Sequence, residues 1–176
     1  GHSFSRGYFT DYFGREGSDA EYKNCELPSI EKLGELLQTE PTLQGFNVTI
    51  PYKQTVIPYL DCISEVAERI GAVNTVVNKD GRLYGYNTDF YGLKYLILST
   101  KVDVKGKTAM ILGNGATKKT AEKVLTSLGV KEILTVSRTG DINYQNCYQY
   151  SVDIIVNTTP VGTYPNSYSS PIELEK

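Results

Sequence analysis

The chain has 176 residues, 40% of them hydrophobic and 22% charged, with a net charge of −2; that is ordinary for a globular protein and is enough for two small domains. No basic run offers a footprint for nucleic acid or an anionic membrane, and no apolar stretch approaches the roughly 20 residues of a membrane-spanning helix. Cys25, Cys62 and Cys147 are isolated and His2 is the one histidine, so a structural zinc site is not expected and acid–base chemistry falls to Lys, Asp, Glu or Tyr. Unpaired thiols, with no signal peptide in Gly1-His2-Ser3-Phe4-Ser5, suit a reducing cytoplasm.

In chain order, Tyr8, Phe9, Tyr12 and Phe13 have helical spacing after Ser5, and residues 20–27 read as a strand. Ser29 is placed to cap a helix with Ile30, Leu33, Leu36 and Leu37 on one side. A short buried strand is expected over 45–50, and Pro51 suits the first position of a helix. Ser64 caps a further helix through Ile70. Two strands, 72–77 and 83–87, flank Asn78-Lys79-Asp80-Gly81, a hairpin turn. Asn87 or Thr88 then caps a helix whose Phe90, Leu93, Leu96 and Ile97 are expected to face inward.

Past a junction near Thr100 to Gly106 the pattern becomes βαβ. Residues 107–112 form a compact apolar strand and Gly113-Asn114-Gly115 a tight turn. The following helix carries Ala121, Val124, Leu125 and Leu128 on one stripe and ends at Gly129. Strands follow over 132–136 and 152–156. Continuous apolar strands around a helix predict a parallel sheet covered on both faces, about half of a doubly wound fold. The chain is therefore expected to be part of something longer.

Gly113 and Gly115 sit where a dinucleotide loop belongs, between a buried strand and an amphipathic helix, although Lys118 holds the position of the third fingerprint glycine. At the end of the next strand, Ser137-Arg138-Thr139 stands where an enzyme using NAD places a carboxylate. Arg138 can pair with a 2′-phosphate, with the flanking hydroxyls as donors, so NADP is the expected cofactor.

Three stretches are polar where packing alone prefers apolar residues: 47–53, 71–75 and 87–89. Each has a plain structural reading. Asn47, Asn87 and Thr88 suit caps, Asn74 suits buried backbone, and Lys53 suits a surface charge. The functional reading makes Lys53, in the first turn of the helix at Pro51, a proton-transfer group oriented by Asp89, because the positive end of a helix dipole disfavours a further positive charge.

The ordered series Gly-His-Ser-x-Ser, Asn-Val-Thr-x-Pro-x-Lys, Gly-Ala-Val-Asn-Thr, Asn-Thr-Asp-x-x-Gly, Gly-x-Gly, Ser-Arg-Thr and Asn-Thr-Thr-Pro-Val-Gly resembles the shikimate dehydrogenase family from Gly1 to about Pro171. The resemblance implies an α/β chain. An N-terminal α/β substrate domain occupies 1–100, and a Rossmann-type NADP-binding domain begins at 101 and is incomplete at 176. The first strand of the substrate domain is expected to be absent. It also implies reversible, NADP-dependent reduction of 3-dehydroshikimate to shikimate in aromatic amino-acid biosynthesis, by a cytoplasmic monomer or homodimer with no nucleic-acid or membrane partner. Lys53 matches the catalytic lysine and Asp89 its partner. Ser3 and Ser5 match the hydroxyls that hold the substrate carboxylate, and Thr49, Asn74 and Asp89 those that bind ring hydroxyls. Gly113, Asn114, Gly115, Ala116 and Thr117 match the pyrophosphate loop, and Ser137, Arg138 and Thr139 the 2′-phosphate site. Glu65 and Thr159 match positions near the cofactor.

The chain departs from the family pattern at Ala116, where the family has Gly, at Ser137, where Asn is frequent, and at Thr163, where Met is usual. Two alternatives stand beside this reading: a quinate/shikimate dehydrogenase using NAD, and a ligand-binding form without turnover.

Overall fold

The computed structural model describes residues 4–174. It forms two compact units, Gly1–Leu43 and Gln44–Lys176. The first unit carries helix α1 (Phe4–Glu16) and helix α2 (Leu33–Thr39), which continues a 3-10 turn at Ile30–Lys32. Phe4, Tyr8 and Tyr12 stack along α1 at 6.3 and 6.4 Å, as the spacing predicts.

The strand expected over 20–27 does not form. No strand of the first unit pairs with it among the described residues, and the segment is held instead by Tyr22 stacking on Phe9 at 5.2 Å. Ser29 occupies the cap position ahead of the 3-10 turn, but its hydroxyl makes no capping bond; it donates to the Glu31 carboxylate, which lowers that group's pKa.

The second unit holds two sheets. In the first, β1 (Gly45–Asn47), β2 (Cys62–Ile63), β3 (Thr75–Lys79) and β4 (Arg82–Tyr86) lie in the order β1-β3-β4-β2. The β3–β4 hairpin turns through Asp80 and Gly81, whose φ values of 52° and 82° are the left-handed pair that a two-residue turn needs. Helix α3 (Glu65–Ile70) starts where Ser64 Oγ accepts from the Ala67 N–H, as expected.

The helix expected at Pro51 is absent, so Lys53 has no helix dipole behind it. The Lys53 carbonyl, which a helix would pair with the Ile57 N–H, accepts instead from the Val73 N–H at 2.7 Å, and Ile57 turns back to Gln54. A tertiary bond has displaced the helical one, and the segment becomes a turn leading into a 3-10 turn at Ile57–Tyr59.

Helix α4 (Thr88–Ser99) is capped by Asn87, whose Oδ1 accepts from the Phe90 N–H at 3.1 Å. Its buried stripe is narrower than expected: Leu93 and Ile97 pack on Ala109, Ile111, Ala121 and Leu125, but Leu96 is 59% exposed. Leu93 and Ile97 are an i, i+4 pair on the covered face, Phe90 is half-buried, and Leu96 lies beyond the line of contact.

The second sheet is parallel. Strands β5 (Thr108–Leu112), β6 (Glu132–Val136) and β7 (Ile154–Asn157) lie in the order β6-β5-β7, with helix α5 (Ala116–Ser127) between β5 and β6 in sequence. Both faces are covered, one by α4 and α5, the other by Ile142, Tyr144, Cys147 and Ile172. Alternate residues of β5 enter the two cores, Ala109 and Ile111 on one side, Met110 and Leu112 on the other, which is why the strand reads as an unbroken apolar run.

Asp153 ties β7 to β5. Its carboxylate accepts the Thr108 N–H at 2.9 Å and faces Lys107 Nζ at 3.4 Å. The Thr108 backbone bond, with a smaller contribution from Lys107, lowers its pKa. A carboxyl whose folded pKa lies below its unfolded value stabilises above the ordinary carboxylate range and loses that contribution as pH falls through the lowered value. Asp153→Asn is expected to unfold at lower urea than the parent chain at pH 7, with the gap closing as pH falls through the carboxylate range. A gap independent of pH would show that the charge of Asp153 plays no part.

Candidate active site

The polar residues at the ends of β1, β3 and β4 converge within the second unit. Backbone bonds set the frame: Val48 N–H donates to Asn74 O at 2.8 Å, Asn74 N–H to Tyr86 O at 3.0 Å, and Val73 N–H to Lys53 O. Asn87, 1% exposed, anchors the base by donating from Nδ2 to Ala72 O at 3.0 Å.

This frame brings Lys53 Nζ to 2.7 Å from Asp89 Oδ2, across a sequence separation of 36 residues. The two side chains are 23% and 45% exposed, so the pair is open to a ligand and not sealed in the core. Beside it, Asn74 Oδ1 accepts from Thr88 N–H at 2.8 Å and is approached by the hydroxyls of Thr75 at 3.1 Å and Thr88 at 3.2 Å. The two threonine hydroxyls are themselves 3.2 Å apart, and Asn47 Nδ2 donates to Thr75 Oγ1 at 3.4 Å. Among the described residues no buried side-chain polar atom lacks a partner.

The structure therefore groups Lys53, Asp89 and Asn74. Thr49 is exposed on the turn that leads to Lys53, its carbonyl accepting from Tyr52 N–H. Ser5 lies on α1, in the first unit, and Ser3 lies outside the described residues. Glu65 opens α3, exposed and paired with Arg69 one turn on. Thr75 and Thr88, which complete the hydroxyl cluster, were not singled out as site residues from the sequence. The period-2 register that puts Thr75 opposite Asn47 is the signal that could have found Thr75.

A second cluster lies at the C-terminal ends of the parallel strands. The chain goes from β5 to β6 on one side and returns to β7 on the other, so the loops after β5 and β7 flank the point where strand order reverses, the usual ligand crevice of such a sheet. Gly113 closes the β5 loop at φ 106°, and a Cβ there would meet Thr158 Oγ1 and Thr159 Cγ2 at 3.0 Å. Thr158 is fixed by donating to Leu112 O through both its N–H and its hydroxyl. Thr159 donates to Asn157 Oδ1 from N–H and hydroxyl at 2.9 and 2.7 Å.

Asn114 is exposed, and a side chain at Gly115 would meet open space. Gly115 is the cap residue of α5, so no side chain caps that helix start, and its first turn, with Ala116 and Thr117, carries no acid. The Lys118 N–H donates to Gly115 O at 3.2 Å, which leaves the N–H groups of Ala116 and Thr117 for an anion. After β6, Ser137 N–H donates to Ile142 O, and Arg138 and Thr139 are exposed, with no carboxylate paired to Arg138 among the described residues. A close-approach glycine, a bare helix start and an unpaired guanidinium fit a phosphorylated dinucleotide. Among the described residues no group of His, Cys, Asp or Glu could hold a metal ion.

The family model described as the shikimate dehydrogenase substrate binding domain matches residues 1–76. The NADP(+) shikimate dehydrogenase of Clostridium beijerinckii is 39% identical over 168 residues, which is 88% of this chain and 62% of the relative. That of Bacillus cereus is 37% identical over 196 residues, 99% of this chain and 70% of the relative. Shikimate dehydrogenase 1 from Peptoclostridium difficile superposes with a TM-score of 0.84 at 38% identity, over 98% of this chain and 68% of that one. The Thermus thermophilus shikimate 5-dehydrogenase solved with NADP(H) and shikimate gives 0.77 at 28% identity, over 98% and 69%. The chain thus spans less than two thirds of the length of the Clostridium beijerinckii relative.

The left-handed backbone and the crowded Cβ position make Gly113 intolerant of substitution. Gly113→Ala is expected to cost about 1–3 kcal/mol of stability in urea unfolding. Parental stability in that variant would contradict the close approach of the two loops.

Proposed function

This chain belongs to the shikimate dehydrogenase family, and from that membership we propose that it carries the substrate site and part of the cofactor site of an NADP-dependent enzyme that reversibly reduces 3-dehydroshikimate to shikimate. The observation that carries the proposal is the Lys53–Asp89 contact of 2.7 Å, a proton-transfer group oriented by a carboxylate and half open to solvent. The functional division is a substrate domain over 1–100 and a cofactor domain from 101. The protein acts in the cytoplasm as a monomer or homodimer.

NADPH, when bound, supplies the hydride. Lys53 donates a proton from Nζ to the ring oxygen as negative charge develops on it, and in the oxidative direction the neutral amine takes the hydroxyl proton back. Asp89 holds Nζ in place and accepts from a ring hydroxyl. Asn74 and Thr49 bind further ring hydroxyls, and Ser3 and Ser5 hold the carboxylate. Gly113, Asn114, Gly115, Ala116 and Thr117 would hold the diphosphate. Ser137, Arg138 and Thr139 would hold the 2′-phosphate, with Glu65 and Thr159 nearer the rest of the cofactor.

The test is NADPH formation from NADP+ that depends on added shikimate. Lys53→Ala is expected to lower kcat by roughly 10²–10⁴-fold with a smaller change in KM; turnover at the parental rate would remove Lys53 from the chemistry. Arg138→Ala is expected to lower kcat/KM for NADP by roughly 10–100-fold and to leave NAD nearly unchanged, the loss of a charge-assisted contact. Equal losses with both cofactors would contradict the 2′-phosphate role.

A further inference from the structure

We propose that Thr75 is a positioning residue for the reaction: its hydroxyl saturates the Asn74 side-chain oxygen and thereby leaves the Thr88 hydroxyl proton available to a bound ligand. The inference rests on the function proposed above and concerns a residue outside the acid–base pair.

Proton counting leads to it. An amide oxygen has two lone pairs, yet three donors stand within reach of Asn74 Oδ1: Thr88 N–H at 2.8 Å, Thr75 Oγ1 at 3.1 Å and Thr88 Oγ1 at 3.2 Å. The backbone N–H cannot turn away and claims one lone pair. The two hydroxyls are equally near, so exposure decides: half-buried Thr75 claims the other, while exposed Thr88 has other acceptors at the surface. The Thr88 hydroxyl is then surplus to Asn74. Thr75 Oγ1 at 3.2 Å accepts its proton in the absence of a better acceptor. Thr88 is exposed, next to Asp89 and at the start of α4, so a ligand oxygen at that surface can take the same proton.

Thr75 also accepts from Asn47 Nδ2 at 3.4 Å, its cross-strand partner on β1. One hydroxyl therefore joins the strand that leads to Lys53, the Asn74 amide and the start of the helix that carries Asp89. With both lone pairs of Oδ1 occupied, Asn74 Nδ2 is turned the other way as a donor, and a flip of the amide would set NH2 against the Thr88 N–H. Without the Thr75 hydroxyl, the Thr88 proton is drawn to Asn74 Oδ1 and Asn47 loses this partner.

Thr75→Val keeps the branched shape that suits a strand and removes only the hydroxyl. Its KM for shikimate is expected to rise about three- to tenfold, the loss of one hydrogen bond, with KM for NADP unchanged and Thr75→Ser restoring the parental value. A purely structural role would lower the melting temperature without moving the shikimate KM. Spectra of chain labelled with 15N-asparagine give a readout independent of turnover: Thr75→Val should move the side-chain amide signals of Asn47 and Asn74, and Thr75→Ser should return them. An unchanged shikimate KM in folded Thr75→Val, or a raised KM that serine does not restore, overturns the proposal. If no variant or parent turns over shikimate, the proposed function fails, and unmoved amide signals then overturn the positioning role by themselves.

Discussion

The Val73 N–H donates to the Lys53 carbonyl at 2.7 Å, and much of the site depends on that bond. It removes the carbonyl from any helical ladder and ties the Lys53 turn to the residue before Asn74. Asn74 is in turn tied by backbone bonds to Val48 and Tyr86. Lys53 and Asp89 then meet because their main chains are fixed, not because their charges attract. A half-exposed ion pair contributes at most about 1 kcal/mol, too little to order two loops by itself.

The other cluster obeys a different constraint. Parallel strands β5 and β7 bring the Gly113 loop and the Thr158–Thr159 loop so close that a Cβ at residue 113 would press on both threonine side chains at 3.0 Å. The bare start of α5 next to this contact is a consequence of Gly115 standing where a capping side chain would otherwise sit. In this loop the features that suit a phosphate are backbone features, whereas Arg138 after β6 offers a side chain.

The βαβ part was legible because its signals are local. An apolar strand, a glycine turn and an i, i+3, i+4, i+7 stripe on α5 need no distant partner to be recognised, and Asn87, Ser64 and the Asp80–Gly81 turn act through their nearest neighbours. Apart from Ser29, whose hydroxyl is taken by the neighbouring Glu31 carboxylate, the failures involve tertiary partners. Residues 20–27 have strand composition, but a strand exists only when another pairs with it. Pro51 favours a helix start, but Val73 takes the carbonyl that the helix requires. Leu96 has the right period, but α4 packs on the core through Leu93 and Ile97 and leaves Leu96 exposed. In the site, motif spacing pointed to Lys53, Asp89 and Asn74, whereas the Thr75 hydroxyl became visible only once the β1–β3 register set it opposite Asn47.

The central claim is that Lys53 moves a proton, and Lys53→Arg tests it most directly. Arginine keeps the positive charge beside Asp89 but does not release its proton in a protein. The variant should still bind shikimate, measured by calorimetry, while its NADP-dependent oxidation of shikimate falls to the level of Lys53→Ala. Oxidation at the parental rate by Lys53→Arg would show that the charge of this residue matters and its proton does not.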